Sequence, residues 1–281
     1  MTSSDPRESA PAPPAFDELY IGYAPPMPPH IARFVKRAVL TIAAGVPLAA
    51  SLIAIGHVPL DGGTFDYGRP QTIAGVIDAH PYPSIEIERH VTAGGSRRAL
   101  LVAPGKHGAD AIAAPFDGQR VTLEATRIQR GGAVMFEVTP GTIAAASASS
   151  RKPPAAGLES PREGVPVTLR GEIVDSKCFL GVMVPGQGKT HKDCASLCLR
   201  GGIPPALVVR DREGRTALLL LVSDSGGSLA GHAAASKLAG EPVEVTGVIE
   251  DRITPSAARE SGWRVLRTNP STWRPLGTRA R

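Results

Sequence analysis

Aromatic residues make up only 4 % of this chain, and cysteine occurs three times, always between positions 178 and 198. A small disulfide-stapled scaffold spreads its cysteines along the sequence, so their concentration excludes that class and points to one local chemistry. The scarcity of aromatics also argues against a nucleic-acid surface, which needs a basic groove lined with stacking rings. No block of one charge sign is present. The formal charge of +5 and the pI near 9.3 arise from basic residues interleaved with acids, the pattern of a solvated face. Long apolar runs are missing with one exception, near the N-terminus. What abounds is glycine (31) and proline (27), which suits short strands joined by many turns better than a helical bundle. At 281 residues the chain has room for about two modest domains.

The exceptional run extends from Ala38 to Gly56 without a charged residue. It is about 19 residues long, roughly 28 Å as a helix, enough to cross a hydrocarbon core. Pro47 near its middle is tolerated in membrane helices. Arg33, Lys36 and Arg37 precede the run and Asp61 and Asp66 follow it. The positive-inside tendency therefore predicts a single-pass inner-membrane protein with a transmembrane helix over 34–57 and its C-terminal part in the periplasm. Ala54-Ile55-Gly56 has the small-x-small form of a signal-peptide cleavage site. A leader of about 37 residues is long for that alternative, and the anchor reading is preferred. Residues 1–33, rich in Pro, Ala, Ser and charge, are expected to be a disordered cytoplasmic tail.

Beyond a short spacer (HVPLDGGTFDYGRP), the chain carries a weak internal repeat. Thr72–Asp78 parallels Thr168–Asp175, Ala99–Val102 parallels Ala217–Leu220, and Val121–Ala125 parallels Val243–Gly247. Each block alternates or runs apolar for the length of a strand and is bounded by Gly, Pro or Asp. In each copy a loop or short helix, Asp110–Pro115 and then Ser228–Leu238, precedes the last of these strands. This predicts a mainly β protein with two small OB-like barrel modules, 68–144 and 165–270, joined by an Ala/Ser/Pro-rich linker over 145–164. A generic β-sandwich is the alternative fold.

Most of the extra length of the second copy is a segment with the ligand-capable skeleton Cys178, twelve residues, His191, two residues, Cys194, three residues, Cys198. Thr190 is read as an N-cap and His191–Leu199 as a short helix stopped by Gly201-Gly202 and Pro204. On such a helix His191, Cys194 and Cys198 share a face, and Cys178 can return to it across a glycine-rich loop. Cβ atoms four apart on a helix stand about 5–6 Å from each other, too far for a disulfide, so Cys178 is the better partner for any bridge. Three readings stay open: a metal or cofactor site, zinc or copper(I), on Cys178, His191, Cys194 and Cys198; a structural disulfide plus a buried thiol; and redox-active thiol chemistry. Asp175 and Met183 are expected just outside the ligands. Asp175 would orient His191 or cap the strand end, and Met183 would offer a thioether or simply pack.

The positions Gly171, Val174, Asp175, Cys178, His191, Cys194, Ala195, Cys198, Gly202 and Pro204 resemble a GxxVDxxC…HxxCAxxC…GxP pattern of uncharacterised exported bacterial proteins. The resemblance covers about the first 40 residues of the second module. It implies an exported small β domain with a shared Cys/His element, and no activity. Gly186-Gln-Gly188-Lys189-Thr190 lacks the first glycine of a phosphate-binding loop, since position 183 is Met. His80, His90 and His107 are read as solvated loop residues. The expected function is thus that of a non-enzymatic, membrane-anchored accessory protein, holding a metal or cofactor for a membrane or periplasmic complex such as a redox system, without nucleic acid as a partner. The alternatives are a disulfide-stapled interaction module and a thiol oxidoreductase.

Overall fold

The computed structural model describes residues 27–56, 62–87, 98–146, 165–250 and 263–277. It divides into two units, Met1–Pro59 and Leu60–Arg281. Among its described residues the first holds one helix, α1 (Pro29–Gly56), with none of its residues buried. At about 42 Å it is long and apolar enough to cross a membrane. Residues 29–33, expected in the disordered tail, are helical instead. Pro29 opens the helix, where its fixed φ suits the first turn and its missing N–H costs nothing. The rest of the expected tail, 1–26, lies outside the described residues.

The second unit begins with β1 (Thr64–Phe65), β2 (Gln71–Asp78), β3 (Ser84–Ile87) and β4 (Arg98–Val102). It continues with α2 (Asp110–Ala113), β5 (Arg120–Arg130), β6 (Ala133–Val138) and β7 (Ala144–Ala145). Then come β8 (Val167–Asp175), a wide helical turn (Cys178–Val182), α3 (Lys192–Arg200), β9 (Pro205–Arg210) and β10 (Thr216–Ser223). The last elements are α4 (Ala233–Leu238), β11 (Pro242–Glu250), β12 (Arg264–Thr268) and β13 (Arg274–Pro275).

Two five-stranded barrels result, with one topology. In the first, β2 pairs antiparallel with β3 and β5, β3 pairs with β4, and β6 closes the barrel by lying parallel to β4 and antiparallel to β5. In the second, β8, β9, β10, β11 and β12 repeat those pairings, and β12 lies parallel to β10. A helix between the third and fourth strands and a parallel contact between the third and fifth define the OB arrangement. The three repeated blocks fall on its first, third and fourth strands in both copies. The short helix expected over Ser228–Leu238 is confined to Ala233–Leu238, and Ser228 bridges back to Val222. Thr64–Phe65, read as spacer, pairs with β5. Residues 147–164, most of the linker, lie outside the described residues.

Alternation along the strands explains how the barrels meet. On β4, Ala99 and Leu101 fill the first barrel while Leu100 and Val102 face outward, yet all four are buried. On β10, Leu219 and Leu221 fill the second barrel and Leu220 and Val222 face outward. The outward sets join Ile128, Met135, Val265 and Trp263 in a shared core between the barrels, so these strands read as continuous apolar runs. Each such side chain contributes about 1.5–3 kcal/mol relative to exposure. Polar ties add to the contact: the Tyr82 hydroxyl donates to Leu221 O at 2.5 Å and accepts from Leu229 N at 2.9 Å, and Trp263 Nε1 donates to Val134 O at 3.0 Å.

Candidate metal centre

Strand β8 ends at Asp175 and the chain turns at once into the Cys178–Val182 segment. The cause is Asp175 itself. Its Oδ1 accepts the Cys178 backbone N–H at 2.8 Å, capping the turn, and its Oδ2 lies 3.0 Å from His191 Nε2. One fully buried carboxylate thus caps the turn and meets the imidazole. Gly181 sits at φ 154°, and a Cβ there would lie 2.6 Å from the backbone N of Thr64, so β1 packs directly on the turn. Phe179 packs with Val174, Ala206 and Val208, and Arg130 of the first barrel stacks over its ring at 4.1 Å. The turn is wedged between the barrels.

The returning loop is held by Glu172, whose carboxylate accepts the Gly188 N–H. Burial raises the pKa of that carboxyl. Helix α3 follows, with a correction to its start. Thr190 does not cap it; His191 occupies the N-cap position and makes no side-chain cap. A turn from Gly188 to His191 precedes the helix, and the imidazole faces Asp175 rather than the helix amides. From α3, Cys198 is buried and Cys194 half-buried.

All three cysteines are free thiols. The Sγ atoms of Cys178, Cys194 and Cys198 lie within 4.8 Å of one another, with Cys178 and Cys198 4.0 Å apart. A second group, Asp175, Cys178 and His191, meets the same limit, so Cys178 belongs to both. The structure therefore brings Cys178 to the helix carrying the other thiols, and it gathers His191 to Cys178 and Asp175 rather than to Cys194 and Cys198. Met183, the residue that follows the turn, is 43 % exposed. His80 and His107 are exposed loop residues, and His90 falls outside the described residues.

A residue that sequence reasoning missed completes the site. Lys106, in the loop after β4 of the first barrel, points its Nζ at Cys194 Sγ (2.8 Å) and Cys198 Sγ (3.8 Å). The loop is pinned from the other side by Lys177, only 2 % exposed, which donates to Ala103 O at 2.9 Å and Gly105 O at 2.7 Å and pairs with Glu137 Oε2 at 2.5 Å. Gly108 N also donates to Gly201 O at 2.9 Å. A Cβ on Gly201 would stand 1.8 Å from Lys106 O, so only glycine permits this approach. Nothing in the local sequence APGKHG marks Lys106, because its partners lie in the other barrel.

The thiols differ electrostatically. The Cys178 thiol is pushed far above the ordinary cysteine range, by its hydrogen bond to Cys198, by burial and by the Asp175 carboxylate. The Cys198 thiol is pulled down by the Cys178 hydrogen bond and then by the Lys106 charge. The Lys106 ammonium is raised by its hydrogen bond to Cys194. Ser176, fully buried beside Asp175, has a hydroxyl with no hydrogen-bond partner among the described residues.

Such an array can do one thing at once: gather a soft ion. Metal–thiolate bonds near 2.3 Å set sulfurs about 3.8–4.0 Å apart around a common centre, which matches the Cys178–Cys198 separation. No protein-family model, curated protein or solved structure matches the chain.

Proposed function

We propose that this chain is a membrane-anchored, extracytoplasmic accessory protein whose paired barrels hold a metal ion, copper(I) before zinc, on Cys178, Cys194 and Cys198. The observation that carries the reading is the convergence of three free, largely buried thiols from two separate segments on one point. Three thiolates satisfy copper(I), whereas zinc wants a fourth ligand. The nearest imidazole, His191, has its Nε2 on Asp175 and is grouped with Cys178 rather than with Cys194 and Cys198. The orientation follows from Arg33, Lys36 and Arg37 ahead of the apolar run. The GxxVDxxC…HxxCAxxC…GxP element resembles a pattern of exported bacterial proteins, and the client we propose for a thiolate copper site in that compartment is a membrane redox complex.

Metal analysis and a free-thiol count on the full-length chain, purified in detergent under reducing conditions, test the reading. We expect about one copper(I) per chain, with all three thiols protected from alkylation until a chelator is added. A chain that takes up no metal and carries one disulfide and one free thiol would be a stapled interaction module instead. Turnover of a disulfide substrate, lost in Cys198→Ser, would make it a thiol oxidoreductase.

A further inference from the structure

We infer that the first barrel supplies Lys106 as the fixed counter-charge of the thiolate centre, and that this charge makes the site favour a monovalent soft ion over a divalent one. The inference rests on the metal reading above. Three thiolates around a monovalent ion carry two net negative charges, and around a divalent ion they carry one. The same metal-free site precedes both complexes, so its own interaction with the lysine cancels from the comparison, and a cation held against the sulfurs favours the first complex over the second.

The surroundings leave that part to Lys106. Asp175 adds negative charge next to Cys178 and is turned to His191. Lys177 is matched by Glu137. Among the described residues Lys106 has no carboxylate partner; its hydrogen-bond acceptors are Cys194 and Cys198. It cannot drift away with its barrel, because Lys177 grips the carbonyls of Ala103 and Gly105 on one side and Gly201 receives the loop on the other. Lys177 is thus a positioning residue for Lys106.

The magnitude follows from Coulomb's law. A unit charge about 4 Å away shifts an equilibrium about fivefold in the bulk-water limit, the cautious figure for a half-buried lysine. The two complexes differ by one unit of net charge, so their ratio carries one such factor.

The test compares the full-length chain with Lys106→Met, which keeps the stem and loses the charge, and with Lys106→Arg. Copper(I) affinity is read by competition with bathocuproine disulfonate, and zinc affinity by competition with a chromophoric zinc indicator. Lys106→Met is expected to lower the ratio of copper(I) to zinc affinity about fivefold. Lys106→Arg is expected to hold the wild-type ratio. Because a guanidinium does not ligate metal, that rescue also shows that the lysine acts through charge. Equal losses for both ions in Lys106→Met, or a ratio that Lys106→Arg fails to restore, would overturn the inference while leaving the metal site standing. A wild-type chain that binds neither ion would overturn the metal reading, and this inference with it.

Discussion

The two barrels share five strands, a helix between the third and fourth, and a parallel contact between the third and fifth, yet they use the connection between their first two strands in opposite ways. In the first barrel residues 79–83 make that connection, and Tyr82 on it reaches into the second barrel. In the second, residues 176–204 make it and carry Cys178, His191, Cys194 and Cys198. The strand that feeds each connection is otherwise alike. Gly75 and Gly171 both face a carbonyl of the neighbouring strand, where a Cβ would stand 2.3 Å from the oxygen, and both strands end in aspartate. Asp78 pairs with Arg98 at 2.6 Å near the surface, whereas Asp175 is buried between Cys178 and His191. One scaffold serves twice: a short connection docks the barrels, and a long one builds chemistry at the seam so formed.

The largest effect that would test this division of labour is loss of metal. Cys198→Ser removes the thiol that neighbours both Cys178 and Lys106, and copper(I) affinity is expected to fall by more than about a hundredfold, since changes to groups behind the ligands already cost 10–100-fold. His107→Ala, on the same first-barrel loop as Lys106 but exposed, is expected to leave affinity within about twofold. Competition titration reads both. Equal losses would mean that the first-barrel loop, not the thiol cluster, carries the binding.

Much of this plan was legible before the structure, for a physical reason. First, third and fourth strands announced themselves because Thr72–Asp78, Ala99–Val102 and Val121–Ala125 recur with their flanking turn residues in the second copy. The second and fifth strands did not. Ser84–Ile87 has four residues, too few for a period to emerge, and Pro205–Arg210 lies directly behind the Gly201-Gly202 and Pro204 that read as a helix stop. Spacing put Cys194 and Cys198 on one helix face and left room for Cys178 to return to it across the loop. The separation of His191 from those two thiols did not follow from spacing, because it depends on Asp175 claiming the imidazole, as the N-cap misread at Thr190 also shows. Lys106 and Lys177 were invisible, since a contact across two barrels leaves no periodicity in either.

Next in size is the contrast between the two strand-end aspartates. Asp175→Ala leaves His191 buried without its partner and the Cys178 amide uncapped, and should cost about 3 kcal/mol of unfolding free energy. Asp78→Ala removes an ion pair whose side chains are 36 % and 35 % exposed, and should cost about 1 kcal/mol or less. Urea denaturation of the two variants side by side checks the difference. Similar midpoints would show that the second barrel's buried pair is no more structural than its surface counterpart.

The smallest effect concerns docking by the short connection. Tyr82→Phe deletes a hydroxyl that joins Leu221 O to Leu229 N across the barrels, and is expected to cost about 1.5 kcal/mol at neutral pH with copper(I) affinity unchanged. Burial also holds the Tyr82 phenol above the ordinary tyrosine range, so the folded chain keeps this proton when the unfolded chain releases it near pH 10. The unfolded state then binds fewer protons, and stability falls as pH rises from about 9 to about 11. Tyr82→Phe removes that share of the alkaline decline, and its urea midpoint should fall less steeply over the same range than the wild type's. A variant whose midpoint declines as steeply as the wild type's would mean that Tyr82 ionises freely, and that the short connection is not sealed into the second barrel.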